Sequence, residues 1–306
     1  MYSRMRIVTF MKTFSADVKK PFQNLLDEAD AIVVGAGAGL STAAGFTYSG
    51  ARFERYFSDF LERFGIRDMY SGGFYPFPDA ETFWGWWCRH IWVNRYAPLP
   101  SDLYERLLQA LAGRDFFILT TNVDHAFQRA GFQKKRLFYT QGDYGLFQSS
   151  EPAGVTSSRT YDNKDIVEAM LRSEGWSFTE DGALFVPKGR RVSLRIDASL
   201  VPFCPDDGAP MTMNLRSDDS FVEDGGWRAA AERYRAFLDC TDGKRVLFLE
   251  LGVGQNTPGI IKYPFWRMTE GNPNARYVCV NPTKSYVPDE IEARTTLFVC
   301  GADAVV

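Results

Sequence analysis

Apolar residues in this chain fall into short unbroken runs separated by amphipathic stretches. The runs are AIVVG at 31–35, FFILT at 116–120, LFY at 137–139, RVLFLEL at 245–251, RYVCV at 276–280 and TLFVC at 296–300. Such brief, uniformly apolar segments predict strands buried on both faces, as in a parallel sheet. Positions 22–29, 40–44, 102–111, 123–130 and 226–238 carry apolar residues at helical spacing, with Gly113 and Gly131 as stops. Strands alternating with helices, each strand closing near Gly, Asn or Thr, predict an α/β fold: a doubly wound parallel Rossmann-like sheet.

Two stretches break the alternation. Positions 47–100 are aromatic and helical without strand candidates. Positions 149–225 are rich in Ser, Asp, Pro and Gly, with only short β-like pieces such as 191–196. Both are expected to build a smaller second domain inserted in the sheet domain. The expected division is 20–150 and 226–306 for the nucleotide-binding domain, with 47–100 a helical lid. Positions 151–225 form the insertion.

At 306 residues, with 45% hydrophobic and 24% charged content, the chain has ordinary globular composition, which excludes disorder and fibres. A net charge of −3 gives no electrostatic footprint for nucleic acid. No apolar run approaches the roughly 18 residues of a membrane span. Five scattered cysteines without a CxxC pair suit a reducing compartment better than a disulfide scaffold. Cytoplasmic is therefore the expected setting. The N-terminal basic residues (Arg4, Arg6, Lys12, Lys19 and Lys20 against Asp17) leave a mitochondrial-import reading as the alternative.

After the first strand, Gly35-Ala36-Gly37-Ala38-Gly39 allows close approach of backbone to a ligand, and the next helix points its N–H groups at phosphate. A glycine-eased tight turn is the plainer alternative, since no acidic residue clearly marks a second strand about 20 residues on. Thr121-Asn122-Val123-Asp124 lies just past an apolar strand, where ligands of open α/β folds bind. Asn122 as a cap and Asp124 as a helix N-terminal carboxylate are the local alternatives.

GAGLSTAAGF (37–46), TNVDHAFQRAG (121–131) and YTQGDYG (139–145) precede Gly252-Val253-Gly254, Asn281 and Cys300-Gly301-Ala302-Asp303. In this order and spacing they resemble the sirtuin family over roughly 31–303. The likeness is greatest to the macrodomain-linked class M sirtuins, which are protein mono-ADP-ribosyltransferases. Phe46-Thr47-Tyr48 stands where most sirtuins have Ile-Pro-Asp, and Ser49-Gly50-Ala51 is inserted before Arg52 and Phe53.

The resemblance implies NAD as cofactor and these roles. Gly35, Ala36, Gly37, Ala38, Gly39 and Ser41 would line the phosphate and ribose path. Arg52 and Phe53 would belong to the cofactor loop. Asn122 would sit beside the nicotinamide ribose, and Asp124 would hold the carboxamide. Gly252, Val253 and Gly254 would approach phosphates or ribose, Asn281 would bind the adenosine ribose, and Ala302 and Asp303 would lie near adenine.

Gln141 replaces the sirtuin histidine that activates a ribose hydroxyl. It orients hydroxyls but accepts no proton near neutral pH, and removing a general base costs a step roughly 10²–10⁴-fold. Where sirtuins place two zinc-binding cysteine pairs, 148–158 holds no cysteine, and Cys204-Pro205-Asp206-Asp207 keeps one thiol with Asp207 in its partner's position. A metal-free small domain is expected.

The leading expectation is an NAD-dependent protein mono-ADP-ribosyltransferase, with Asn122, Asp124 and Gln141 as catalytic residues. Its acceptor is a protein, a lipoyl-carrier protein by resemblance, with a macrodomain ADP-ribose hydrolase as partner. A deacylase or NAD glycohydrolase is the first alternative, and a non-catalytic NAD or ADP-ribose sensor the second. Outside these residues, His125 reads as a site group or a surface or capping residue, and His90 as packed among tryptophans. Glu250 reads as a site or helix-facing acid, and Asp143 and Tyr144 as shapers of the acceptor channel. The Trp84–Trp92 cluster reads as acceptor surface or core.

Overall fold

Uniformly apolar strands need partners on both faces, and the chain supplies them. The computed structural model describes residues 5–6, 18–152, 158–254, 258–283 and 285–306. The basic N-terminal segment lies largely outside them. In chain order, β1 (Met5–Arg6) and α1 (Lys19–Asp27) precede β2 (Ala31–Ala36) and α2 (Ala38–Ala43). α3 (Ala51–Phe64), α4 (Met69–Gly72) and α5 (Ala80–Ile91) follow, and α5 runs on into a π-helical turn, Trp92–Tyr96. Next come α6 (Leu103–Ala110), β3 (Phe116–Thr120), α7 (Ala126–Arg129) and β4 (Leu137–Tyr139). The small region holds β5 (Gly142–Ser149), β6 (Tyr161–Asp162), α8 (Lys164–Glu174), β7 (Ser177–Phe178), β8 (Leu184–Phe185) and β9 (Met211–Leu215). The chain then returns through α9 (Gly225–Asp239), β10 (Val246–Leu251), α10 (Lys262–Gly271) and β11 (Arg276–Val280). It closes with β12 (Val287–Pro288), β13 (Thr295–Phe298) and α11 (Ala302–Val305).

Six of these strands form one parallel sheet in the order β13-β11-β10-β2-β3-β4. Ile32, Val34 and Ile118 face α1, α6 and α7, where Leu26, Leu107 and Phe127 complete one core. Val33, Phe117 and Phe248 face the opposite layer, against Phe237 of α9 and Phe265 of α10. The sheet is thus doubly wound, and β2 is buried along its whole length.

A second core is aromatic. Trp86 lies 4.4 Å from Phe57 and 5.1 Å from Phe60, ring centre to ring centre, and Trp84, Trp86 and Trp92 are all buried. The tryptophan cluster is therefore core rather than acceptor surface. Inside it, the buried Arg89 guanidinium donates to Glu174, Asp59 and the Ser193 carbonyl. Antiparallel strands in the order β6-β5-β9 border this core.

Local chemistry moves two predicted elements and ends the parallel run after β4. The helix expected at 123–130 starts only at Ala126: Asp124 Oδ1 takes the Ala126 N–H at 2.9 Å, and His125 is left-handed at φ 60°. No strand forms at 191–196, because the Ser193 hydroxyl bonds the Arg195 backbone and Ser193 N–H bonds Glu174 O. Gly142 turns the chain out of the parallel sheet at φ +97°, where a Cβ would fall 1.9 Å from the Asn214 carbonyl oxygen. β5 consequently pairs with β6 and β9.

Candidate functional site

The strand order reverses between β2 and β10, and the carboxyl ends beside such a reversal are where open α/β sheets form ligand crevices. Two glycine segments meet there. A Cβ on Gly37 would lie 2.8 Å from Gly252 O, and one on Gly39 2.7 Å from the same oxygen. Gly37 N–H donates to Leu251 O at 3.0 Å and Gly39 N–H to Gly252 O at 2.8 Å. Those two N–H groups, expected to serve phosphate, are spent on the neighbouring strand end. The glycines bring backbone to backbone first, and the buried Gly35 makes room for Ile261 and Phe265 of the α10 layer. Ala38 is exposed at the start of α2, whereas Ala36 is buried at the end of β2.

Above this junction α2, the loop after β3 and α6 bring together a buried polar group. Asn122 Nδ2 donates to Gly37 O at 3.1 Å and to Ser41 Oγ at 2.9 Å. Ser41 Oγ donates to Asp124 Oδ2 at 2.5 Å and lies 2.8 Å from the Tyr104 hydroxyl. Burial raises the Asp124 carboxyl above its ordinary value against the opposing pull of the Ser41 and Ala126 bonds. Tyr104 was not anticipated from the sequence. It reads there as one more core position of an amphipathic helix, and only its hydroxyl shows otherwise.

Gln141 follows β4, partly buried, and its amide makes one long contact, 3.4 Å to Thr140 Oγ1. Two residues on, Asp143 holds His125 Nδ1 at 2.5 Å, Arg95 Nε at 2.7 Å and the Gly145 N–H at 2.7 Å. Burial raises the Asp143 carboxyl, but these partners outweigh it and hold it below the ordinary range. Tyr144 OH bridges Tyr48 OH and His90 Nε2, each at 2.9 Å. Burial, with the Arg52 charge, pushes His90 down to about 3, so the imidazole is neutral.

Other expected cofactor residues stand elsewhere. Phe53 is buried and stacked on Phe57 at 5.6 Å, a core residue rather than part of an open loop. Arg52 is committed to Thr47 O, Val93 O and Asn94 Oδ1, which tie the start of α3 to the end of α5. Val253 packs into the core and accepts from Asn281 Nδ2 at 3.0 Å, whereas Gly254 is exposed. Ala302 is buried at the start of α11, next to the exposed Asp303. Glu250 is the helix-facing acid: Lys262 Nζ and the Tyr277 hydroxyl each reach it at 2.5 Å, away from the crevice.

At the zinc-knuckle positions, Cys204 N–H donates to Ala209 O, and the Tyr161 hydroxyl lies 3.6 Å from Cys204 Sγ. Positions 153–157 of the expected first pair lie outside the described residues. Among the described residues no three His, Cys, Asp or Glu side chains come close enough to hold a metal ion.

No family model matches the chain. A protein ADP-ribosyltransferase of Staphylococcus aureus (strain Mu50 / ATCC 700699) is 34% identical over 295 residues, 96% of this chain and 86% of that relative. A probable bifunctional ADP-ribose hydrolase/ADP-ribosyltransferase of Fusarium oxysporum f. sp. cubense is 32% identical over 78% of this chain, which spans 38% of that larger relative. Among solved structures, a Sir2 point mutant with a p53 peptide and NAD superimposes with a TM-score of 0.53 at 17% identity, over 93% of each chain. That likeness establishes the sirtuin fold. With a relative of such identity matched across nearly its whole length, the chain belongs to the sirtuin-fold protein ADP-ribosyltransferases.

Proposed function

We propose that this chain cleaves the nicotinamide–ribose bond of NAD and transfers a single ADP-ribose to a protein side chain. The observation that carries the reading is the convergence of Ser41, Asn122 and Asp124 on the glycine junction, with Gln141 at the end of the adjacent strand. A buried carboxamide, carboxylate and hydroxyl suit a ligand with an amide and ribose hydroxyls. NAD supplies the electrophilic ribose carbon and a leaving group that departs as neutral nicotinamide. In our reading Asp124 and Ser41 hold the carboxamide, Asn122 the adjoining ribose, and Gln141 the ribose hydroxyls. The segments ending in Gly252–Gly254, Asn281 and Ala302–Asp303 take the rest of the dinucleotide.

Because nicotinamide leaves without a proton, cleavage depends on orientation rather than on a base at 141. Deacylation, by contrast, needs the proton transfer that Gln141 does not provide, worth roughly 3–5 kcal/mol.

The family resemblance supports a lipoyl-carrier protein as acceptor and a macrodomain ADP-ribose hydrolase as its counterpart. The name of the Fusarium relative couples those two activities. A cytoplasmic setting is supported by five unpaired cysteines. No helix among the described residues is long and apolar enough to cross a membrane.

The test is incubation with labelled NAD and lysate, followed by mass spectrometry of labelled proteins. Wild type labels an acceptor, and Asn122→Ala and Gln141→Ala abolish labelling. Persistent labelling in both variants overturns the assigned roles. Free ADP-ribose alone identifies a glycohydrolase, O-acyl-ADP-ribose from an acyl-lysine peptide a deacylase, and NAD binding without nicotinamide release a sensor.

A further inference from the structure

Asp124 and Gln141 sit on different loops, and their separation has to be fixed for both to serve one NAD. One backbone bond, Tyr144 N–H to Val123 O at 2.9 Å, ties the loops together. The second tie is made by side chains. His125 Nδ1 meets Asp143 Oδ2 at 2.5 Å, and Asp143 Oδ1 accepts from Arg95 Nε and the Gly145 N–H, each at 2.7 Å. Both carboxylate oxygens are therefore engaged, and Arg95 anchors the tie to the π-helical turn after α5.

His125 is the one non-glycine residue with positive φ among the described residues. A side chain persists in that region where its surroundings over-determine it, and such residues cluster at functional sites. It precedes α7 yet makes no side-chain capping bond, which removes the capping explanation. Its imidazole points to the carboxylate two residues beyond Gln141 and lines a small cleft with Asn122, Asp124, Gly142 and Asp143.

We propose that His125 is a positioning residue: its bond to Asp143 clamps the Asp124 loop to the Gln141 loop and sets the spacing that cleavage of the nicotinamide–ribose bond requires. The inference rests on the reading of the site given above. It involves no proton transfer by His125. The clamp uses Nδ1, attached directly to the ring carbon that corresponds to the amide carbon of asparagine.

That correspondence supplies the experiment. Asparagine tolerates left-handed backbone and presents Nδ2 where histidine presents Nδ1, but has nothing at the place of Nε2. Glycine tolerates the backbone equally and removes the clamp. Nicotinamide release and protein labelling are measured for wild type, His125→Gly, His125→Asn and Asp143→Ala, each checked for cooperative unfolding.

The expected result is a kcat lowered roughly 10–100-fold in His125→Gly, as for a reacting group misplaced by about an ångström. KM for NAD stays within about threefold, and His125→Asn restores most of kcat. Asp143→Ala reproduces the His125→Gly loss and carries the test if the glycine variant does not fold.

Wild-type kcat in His125→Gly or in a folded Asp143→Ala overturns the clamp. Equal loss in folded His125→Gly and His125→Asn also overturns it, and assigns chemistry to Nε2 instead. A wild-type protein that releases no nicotinamide under any acceptor refutes the underlying functional reading, a result distinct from either of these.

Discussion

Gly252→Ala probes whether the meeting of two glycine loops holds the site together. Gly252 sits at φ +61°, and a Cβ there would lie 2.3 Å from Leu40 N and 2.4 Å from Gly39 C. Both are backbone atoms, so neither swings aside as a side-chain tip does. Non-bonded carbon contacts settle near about 3.5 Å, so the loops must separate by about 1 Å. That motion breaks or weakens Gly39 N–H to Gly252 O and Gly37 N–H to Leu251 O. Two hydrogen bonds at about 1 kcal/mol each, with a further 1–2 kcal/mol for alanine in left-handed backbone, give roughly 3–4 kcal/mol. Urea denaturation reads this as a lowered midpoint at unchanged slope. Steady-state kinetics should show kcat/KM for NAD falling roughly 100-fold, because the displaced segment leads into α2, which carries Ser41. Gly254→Ala is the stability comparison: nothing lies within 4 Å of a Cβ there, and stability should change by less than about 0.5 kcal/mol. A Gly252→Ala protein with wild-type midpoint and wild-type kcat/KM would refute the argument.

Other consequences are equally direct. Lys262→Met leaves Glu250 buried with its charge uncompensated and should cost about 3–5 kcal/mol, most of it recovered by adding Glu250→Gln; a loss under about 1 kcal/mol in urea denaturation counts against it. His90 titrates at about 3 in the folded chain against an ordinary 6.5 when unfolded, so its contribution is complete above pH 6.5 and declines as pH falls toward 3. That amounts to roughly 2 kcal/mol between pH 6.5 and 5, and His90→Gln should flatten this part of the stability profile. An unchanged acid slope in the variant disproves the assignment. Metal analysis of purified protein should find no stoichiometric zinc, and a chelator should leave the unfolding temperature unchanged; one zinc per chain contradicts both.

Sheet and site were legible to different depths, for physical reasons. β3, β4 and β11 occupy the residues read from the sequence, because burial in the sheet forces a short, unbroken apolar run. Helix starts were less legible: Asp124 diverts the Ala126 N–H, and a side chain that competes with the backbone leaves no trace in apolar periodicity. In the site, Ser41, Asn122 and Asp124 come together as neighbours. Tyr104 joins them from α6 only because the helix packs there, and its spacing to Leu103 and Leu107 reads as ordinary core. Phe53 is the opposite case: the family resemblance implies a cofactor loop, while the concentration of aromatic rings around Phe57 and Trp86 draws the side chain inward.

The hydrogen-bond network of the site bears on what Gln141 has to do. Asp124 already accepts from Ser41 and from the Ala126 N–H, and Asn122 already donates to Ser41 and Gly37 O. Groups held in this way need little reorganisation when a ligand arrives, which is where orientation gains its rate. The Ser41 and Ala126 bonds pull the Asp124 carboxyl down, but burial outweighs them and leaves it above its ordinary value. Gln141, with its amide engaged by a single long contact, is free to turn toward hydroxyls but carries no proton-accepting nitrogen near neutral pH. A site built this way favours breaking a bond whose leaving group departs neutral. On the reading proposed above, it disfavours any later step that requires deprotonating a ribose hydroxyl, and the one side chain at 141 would then separate transfer from deacylation on the same scaffold.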